Sequence, residues 1–277
     1  MNASASQESR RVVIELVAAD VPSRAERERV AIPGLNWLVR EREFWVVGGL
    51  PGSGKSDLLA MLAALTQPLA GLCRVLGEIE SDREGGGGPG RQLRTGIVLD
   101  QGGQPFNQLT VWENVALPLY YHCSWEESRL EHFLASWLKT TELWPWRERL
   151  PAALTPAWRQ RLALARALVL QPEILLLDNP LSVLDPSHTR WWMQFLAELA
   201  AGHRLLDKRP MTLVAATDDF RPWRHPACQF AVLRDRQFLP LGDRSTLSRQ
   251  SEPLLRQLLA LEAADETSEN SDLSTRT

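Results

Sequence analysis

"GLPGSGKS", residues 49–56, decides how the rest of the chain is read. It follows the apolar run "FWVVGG" (44–49) and leads into "KSDLLAMLAALT" (55–66), so a strand enters a glycine-rich turn and a helix leaves it. The stretch fits G-x-x-x-x-G-K-[ST] in the strand–turn–helix context that this pattern requires. Gly49, Gly52 and Gly54 allow the tight path that turns successive backbone N–H groups toward phosphate oxygens, with Leu50, Pro51 and Ser53 completing the loop. Lys55 offers a positive charge to the outer phosphates, Ser56 offers an oxygen to Mg²⁺, and the helix N-terminus adds its dipole. Asp57 sits in the first helical turn, where a carboxylate favours the empty helix but works against a nearby phosphate. The competing reading is a plain glycine turn, which the agreement of pattern and context disfavours.

Outward from this loop, strands are expected at "RVVIELV" (11–17), "GIVLD" (96–100), "EILLLD" (173–178) and "MTLVAAT" (211–217). The later runs are apolar throughout, as strands buried on both faces of a mainly parallel sheet should be. Helical patterns fall between them at 126–139, 157–170 and 188–201, giving an α/β layered fold. "EILLLD" ends in Asp178, placed to hold a metal beside bound phosphates; the alternative is an aspartate that merely ends a strand. "EGGGGPG" (84–90) reads as an exposed loop, and residues 1–10 and the acidic stretch 263–277 read as disordered.

The composition of the 277 residues is that of an ordinary globular protein, 44% hydrophobic and 23% charged. A net charge of −3 argues against a nucleic-acid partner. No apolar run approaches the roughly 18 residues that span a bilayer, and "MNASASQESRR" lacks a signal-type apolar core, so a cytoplasmic location is expected. Cys73, Cys123 and Cys228 are odd in number and widely spaced, which suits reduced thiols. The five histidines form no ligand-spaced cluster.

Further segments extend the pattern: "QGGQPFNQLTVWENVALPL" (101–119), "RQRLALARALVLQPEILLLDNPLSVLDP" (159–186) and "TLVAATDD" (212–219). In order and spacing the chain resembles the ATP-binding cassette (ABC) ATPases over residues 11–262. The resemblance implies a P-loop NTPase fold with a mainly parallel core sheet, an antiparallel β edge and an inserted helical subdomain at about 106–157. It implies ATP and Mg²⁺ as cofactors, with Ser56, Asp178 and Gln101 at the metal and Gln101 reporting to a membrane partner. It also implies a homodimer or heterodimer of cassettes, in which Asp185 contacts the opposite subunit, and an integral membrane permease on whose cytoplasmic face the chain sits. Within the family, "LTVWENVALPL" and "SEPLLRQLLALE" (251–262) are similar to ATPases of Mla/MCE-type lipid transporters.

Four departures from the family pattern bear on chemistry. The LSGGQ signature is here "LTPAW": Leu154, Thr155, Pro156, Ala157 and Trp158. Thr155 can cap a helix and Pro156 suits its first position, but Pro156 lacks an N–H and Ala157 and Trp158 add bulk where a partner's phosphate would approach. Asn179 replaces the glutamate that activates water; it can hydrogen-bond a water but cannot take its proton, a loss of about 10²–10⁴ in rate. A γ-phosphate contact and a simple polar turn both remain open for Asn179. Asp218 replaces the histidine that contacts the γ-phosphate; two unit charges ~4 Å apart repel by about 4 kcal/mol at an effective dielectric of ~20. Asp218 is therefore expected to turn away, be protonated or lie beside a cation. Finally, residues 18–30 hold no aromatic to stack on adenine, and Trp37 fits the core better. Such stacking is typically worth ~1–3 kcal/mol. These losses tilt the expectation toward binding over hydrolysis, with a non-catalytic ATP-gated scaffold as the alternative.

Five of the eleven tryptophans, Trp125, Trp137, Trp144, Trp146 and Trp158, crowd into the expected helical subdomain and its exit. Local core packing and a docking face for a membrane subunit both account for them. Trp191 and Trp192 are adjacent on a helix, so at least one should be partly exposed.

Overall fold

The computed structural model describes residues 10–79, 93–247 and 258. The readings of residues 1–9, 84–90 and 263–277, and all but Leu258 of 251–262, lie outside the described residues.

Six strands form the central sheet: β3 (Phe44–Gly48), β6 (Thr95–Val98), β7 (Ile174–Asp178), β8 (Thr212–Thr217), β9 (Cys228–Arg234) and β10 (Gln237–Asp243). Their order is β10-β9-β3-β8-β7-β6. Every pairing is parallel except β9 with β10, which closes one edge as a hairpin. A second sheet, wholly antiparallel, has the order β2-β1-β4-β5 and is built from β1 (Val12–Pro22), β2 (Val30–Arg40), β4 (Leu72–Val75) and β5 (Glu78–Ile79).

Alternation along the parallel strands explains why they read as unbroken apolar runs. Phe44, Val46, Leu175, Leu177, Leu213 and Ala215 point into one buried cluster. Val47, Ile174, Leu176, Val214 and Ala216 point into the other, shared with the antiparallel sheet and with α1 (Lys55–Leu62). Both faces are covered, so period-two polarity has no reason to appear. Strand β2 is not legible in the sequence because its pattern is interrupted by Pro33 and Gly34; β4, β5, β9 and β10 are not anticipated either.

Helices α2 (Val111–His122), α3 (Glu127–Thr140) and α4 (Pro156–Leu168) lie between β6 and β7 in sequence. Helix α2 starts where "TVWEN" dictates: Thr110 and Glu113 form a reciprocal capping box. The fully buried Asn114 ties the preceding loop down, accepting from Phe106 N at 2.9 Å and donating to the carbonyls of Phe106, Leu109 and Thr110. Helix α3 turns Leu130, Leu134, Trp137 and Leu138 into the same cluster as the sheet, so the helical segment and the sheet share one core. Helix α5 (Pro186–Ala201) buries Trp192 and leaves Trp191 half-buried, stacked on Phe195 at 4.9 Å. A short α6 (Arg244–Leu247) follows β10.

Candidate nucleotide site

The glycine loop crosses from the end of β3 to the start of α1. Gly54 holds the helix N-cap with φ of 98°, a conformation L side chains rarely adopt. At Gly49 a Cβ would come within 2.5 Å of Ser53 Oγ and 2.7 Å of the Leu233 carbonyl, so only glycine fits the close passage under β9.

Over this loop opens a cavity of about 250 Å³ whose lining includes Lys55, Ser56, Asp100, Asp178, Asn179 and Asp218. Pro51, Gly52, Gly54 and Asp57 complete it. Lys55 is buried, with Nζ donating to the carbonyl oxygens of Gly49 and Leu50, the latter at 2.9 Å. Burial pulls its pKa below the ordinary lysine value, opposed by the negative charges of Asp218 and then Asp178. Ser56 Oγ donates to Asp178 Oδ1 at 2.9 Å. Burial pushes the Asp178 carboxyl up, against the Ser56 hydrogen bond, and Asp100 pushes the same way as burial. Adjacent β7 and α1 thus bring together a hydroxyl and a carboxylate, the hard oxygen pair that suits Mg²⁺.

Asp57 lines the cavity, and its Oδ1 accepts from Arg24 N at 2.8 Å, which ties the loop after β1 to the cradle. Asn179 takes a left-handed backbone (φ 46°), with its N–H on the Ala216 carbonyl at 3.0 Å. Asn tolerates that conformation well, so a turn and a place in the cavity lining hold together. Asp218 lines the same cavity as Lys55 and acts against the burial that lowers that lysine's pKa. Its neighbour Asp219 is clasped instead by the Arg221 fork at 2.7–3.0 Å.

Gln101 does not line this cavity. It is exposed, with φ of 54°, and Asp100 lines the cavity in its stead, accepting from Ser182 Oγ at 2.9 Å and from Gln101 N. The sequence held a signal for Asp100, a carboxylate at the end of an apolar strand like Asp178. Residues 154–158 also lie outside the cavity lining. Leu154 and Ala157 are buried, and Pro156 opens α4 as expected. Thr155 occupies the N-cap position but makes no side-chain cap bond, unlike the capping role expected of it. Trp158 folds back on its own chain, against Trp146 (5.9 Å), His188 (5.1 Å) and Arg161 (4.6 Å). Asp185 caps α5, accepting from Ser187 N at 2.8 Å and His188 N at 3.0 Å, and these bonds hold its carboxyl below the usual range. Trp37 is buried against Trp45 and Phe238, as expected of a core residue.

A second cavity, of about 570 Å³, opens beside the loop and shares Pro51, Gly52 and Asp57 with the first. Its far wall carries Ser23, Arg29, Arg234 and Arg236. Sequence reasoning sought an aromatic there and so passed over these arginines.

A glycine cradle between a parallel strand and a helix, with lysine, serine and a strand-end aspartate, defines a phosphate-loop nucleotide-binding domain. The chain belongs to the ABC transporter family, whose model matches residues 32–182. It is 30% identical over 220 residues to the "Probable ribonucleotide transport ATP-binding protein mkl" of Mycobacterium leprae, covering 78% of this chain and 60% of that protein. It is 32% identical over 212 residues to the "Spermidine/putrescine import ATP-binding protein PotA" of Nostoc, covering 76% of this chain and 52% of that protein. The chain thus spans about 60% or less of the length of these curated relatives. Among solved structures, the dimeric post-hydrolysis state of the ATP-binding cassette MJ0796, bound to ADP and Pi, matches with a TM-score of 0.70 at 26% identity, covering 82% of this chain and 98% of that one. CbiO1 from Clostridium perfringens, part of the cbiONQ transporter complex, shares the fold at a TM-score of 0.69 and 20% identity, covering 95% of this chain and 96% of that one. No described helix is long and apolar enough to cross a membrane.

Proposed function

We propose that this chain is the ATP-binding subunit of an ABC transporter, that it binds Mg-ATP, and that it couples closure of a cassette dimer to a membrane permease with weak hydrolysis. The observation that carries the reading is the Ser56–Asp178 pair beneath the glycine cradle, with Asn179 and Asp218 in the same cavity. Ser56 and Asp178 would hold the metal, and the loop N–H groups and Lys55 the phosphates. The metal, when bound, neutralises charge on the outer phosphates.

Weak hydrolysis follows from what the residues can do with a proton. Asn179 cannot accept one. Asp218 brings a carboxylate to the same cavity where the family has a histidine donor, and a negative charge there would repel the γ-phosphate. Trp158 is engaged in packing of its own chain, so it does not reach freely for a partner's nucleotide.

Permease docking is supported by a third cavity of about 640 Å³ on the helical segment, lined by Trp112, Glu131, His132, Trp144 and Arg147 among others. Aromatic rings edged by charge suit a docked helix or loop. The lipid-type reading rests on segments 109–119 and 251–262 alone; the cargoes in the names of the relatives, ribonucleotide and spermidine/putrescine among them, differ from it.

The test is nucleotide binding and phosphate release by the complex that co-purifies from native membranes, for wild type and Lys55→Ala. The expected result is Mg-dependent ATP binding lost in the variant, a multi-span membrane protein in the complex, and little phosphate release from either. Vigorous turnover that Lys55→Ala abolishes would sink weak hydrolysis. Equal ATP affinity of the two would sink the nucleotide reading itself. A soluble partner with no turnover would favour the ATP-gated scaffold.

A further inference from the structure

The Arg236 side chain stands at the wall of the cavity of about 570 Å³, in a place the chain is not built to favour. Strands β9 and β10 are joined by the two-residue turn Asp235–Arg236, with Arg234 paired to Gln237 across it. Both turn residues are left-handed, with φ of 49° and 62°. Two-residue turns of this kind prefer glycine at the second position, because a side chain there is strained. Strain held against local preference is a pointer to function when the side chain has something to do.

What the side chain does is visible. Arg236 Nη2 donates to the Val30 carbonyl at 2.6 Å and Nε to the Ala31 carbonyl at 3.3 Å. Two hydrogen bonds from one planar group to adjacent carbonyls fix the plane of the guanidinium at the start of β2. The same residue lines the cavity of about 570 Å³ that is continuous with the glycine loop through Pro51, Gly52 and Asp57. This space borders the loop that would hold the phosphates, on the side open to the base end of a nucleotide, and no described aromatic residue lines it.

We propose that the fixed guanidinium plane of Arg236 is the platform on which the nucleotide base stacks, and that the cavity takes adenine and guanine nucleotides alike. The proposal rests on the nucleotide-binding reading above and adds the residue that holds the base. A guanidinium is flat, always charged, and stacks on aromatic rings. The indifference to base follows from how the arginines are engaged. Arg236 donates to backbone, Arg29 faces Glu26 at 3.4 Å, and Arg234 faces Asp235 at 2.9 Å. Their donors are drawn to protein acceptors rather than arrayed against one base edge, and stacking by itself tolerates any base.

The test uses calorimetry of the full chain with Mg-ATP, Mg-GTP and Mg-tripolyphosphate, for wild type, Arg236→Gly, Arg236→Lys and Lys55→Ala. Glycine suits the left-handed turn, so Arg236→Gly keeps the fold, and tripolyphosphate reports the loop without any base. Wild type should bind ATP and GTP within about threefold of each other, since stacking reads no base edge. Arg236→Gly should weaken both nucleotides by roughly 5- to 150-fold, the range of base stacking, while tripolyphosphate binding changes by less than about twofold. Arg236→Lys keeps the charge and loses the plane, so it should resemble the glycine variant for nucleotides. Unchanged ATP affinity in Arg236→Gly would overturn the proposal, as would tripolyphosphate weakening in parallel with ATP, which would make Arg236 a general phosphate attractor. A strong preference for one purine would overturn the indifference. Wild type binding none of the three ligands would instead remove the nucleotide-binding reading, a result distinct from any of these.

Discussion

Replacing Arg161 tests how the signature segment is held. The side chain is 4% exposed, with Cζ 3.8 Å from the Trp191 ring centroid and 4.6 Å from that of Trp158, and Nη1 donating to Glu142. Two cation–π contacts of ~1 kcal/mol or more each, in a desolvated place, sum to about 2–3 kcal/mol. The pair with Glu142, whose side chain is 54% exposed, adds at most about 1 kcal/mol after solvent screening. Against these stands the cost of burying a guanidinium, the same burial that lowers its pKa. We expect Arg161→Met, which keeps much of the volume, to lose about 2 kcal/mol, or roughly 4–8 °C in Tm for a chain of this size. Arg161→Lys keeps the charge without the stacking plane and should lose about half as much. The assay is urea unfolding followed by tryptophan fluorescence. A methionine variant as stable as wild type would refute the reasoning, because it would show that burial cost cancels the stack, as happens for some buried ion pairs. The stack also bears on engineering: Trp158→Gln, part of any restored LSGGQ, removes one of the two rings and should cost about 1 kcal/mol.

Asn179→Glu alone should raise phosphate release by less than about tenfold, below the general-base range, because Asp218 and the "LTPAW" segment remain. Adding Asp218→His and LSGGQ at 154–158 should gain more than the product of the separate effects, as residues acting as a unit do; a large gain from the single change would show the site already competent. Burial holds His203 below the ordinary histidine pKa of 6.5, with Glu198 acting against burial and Arg204 with it. The unfolded chain therefore takes up this proton first, so stability is full above about pH 6.5 and declines as pH falls toward the depressed folded value. Urea midpoints at pH 8 and 5.5 should differ more for wild type than for His203→Asn; equal differences would count against it. A photo-crosslinker placed at Ser128, in the cavity beside Trp112, should capture a multi-span membrane protein, and capture of soluble proteins alone would count against permease docking.

The sequence by itself determined the frame. A glycine-lysine-serine loop between an apolar strand and a helix needs only local chemistry to be recognised, and "TVWEN" writes its own helix start through the Thr110–Glu113 box. The parallel strands were legible because burial on both faces leaves continuous apolar runs such as "ILLLD". Asp178 could be placed at the metal because a carboxylate that ends an apolar strand fits the phosphate-loop template. What only the tertiary structure decided are the meetings between segments far apart in the chain. Asp100 rather than Gln101 lines the cavity over the glycine loop, because the chain turns left-handed at Gln101 and leaves that side chain exposed. Trp158 packs against Trp146 and His188, which come from two other elements, beside Arg161 one turn along its own helix. Arg236 reaches the start of β2 across 205 and 206 positions of sequence, a contact that no periodicity or local propensity encodes. Spacing along a chain reports what neighbours must do, but the wall of a site is made wherever two sheets and a loop happen to close on one another.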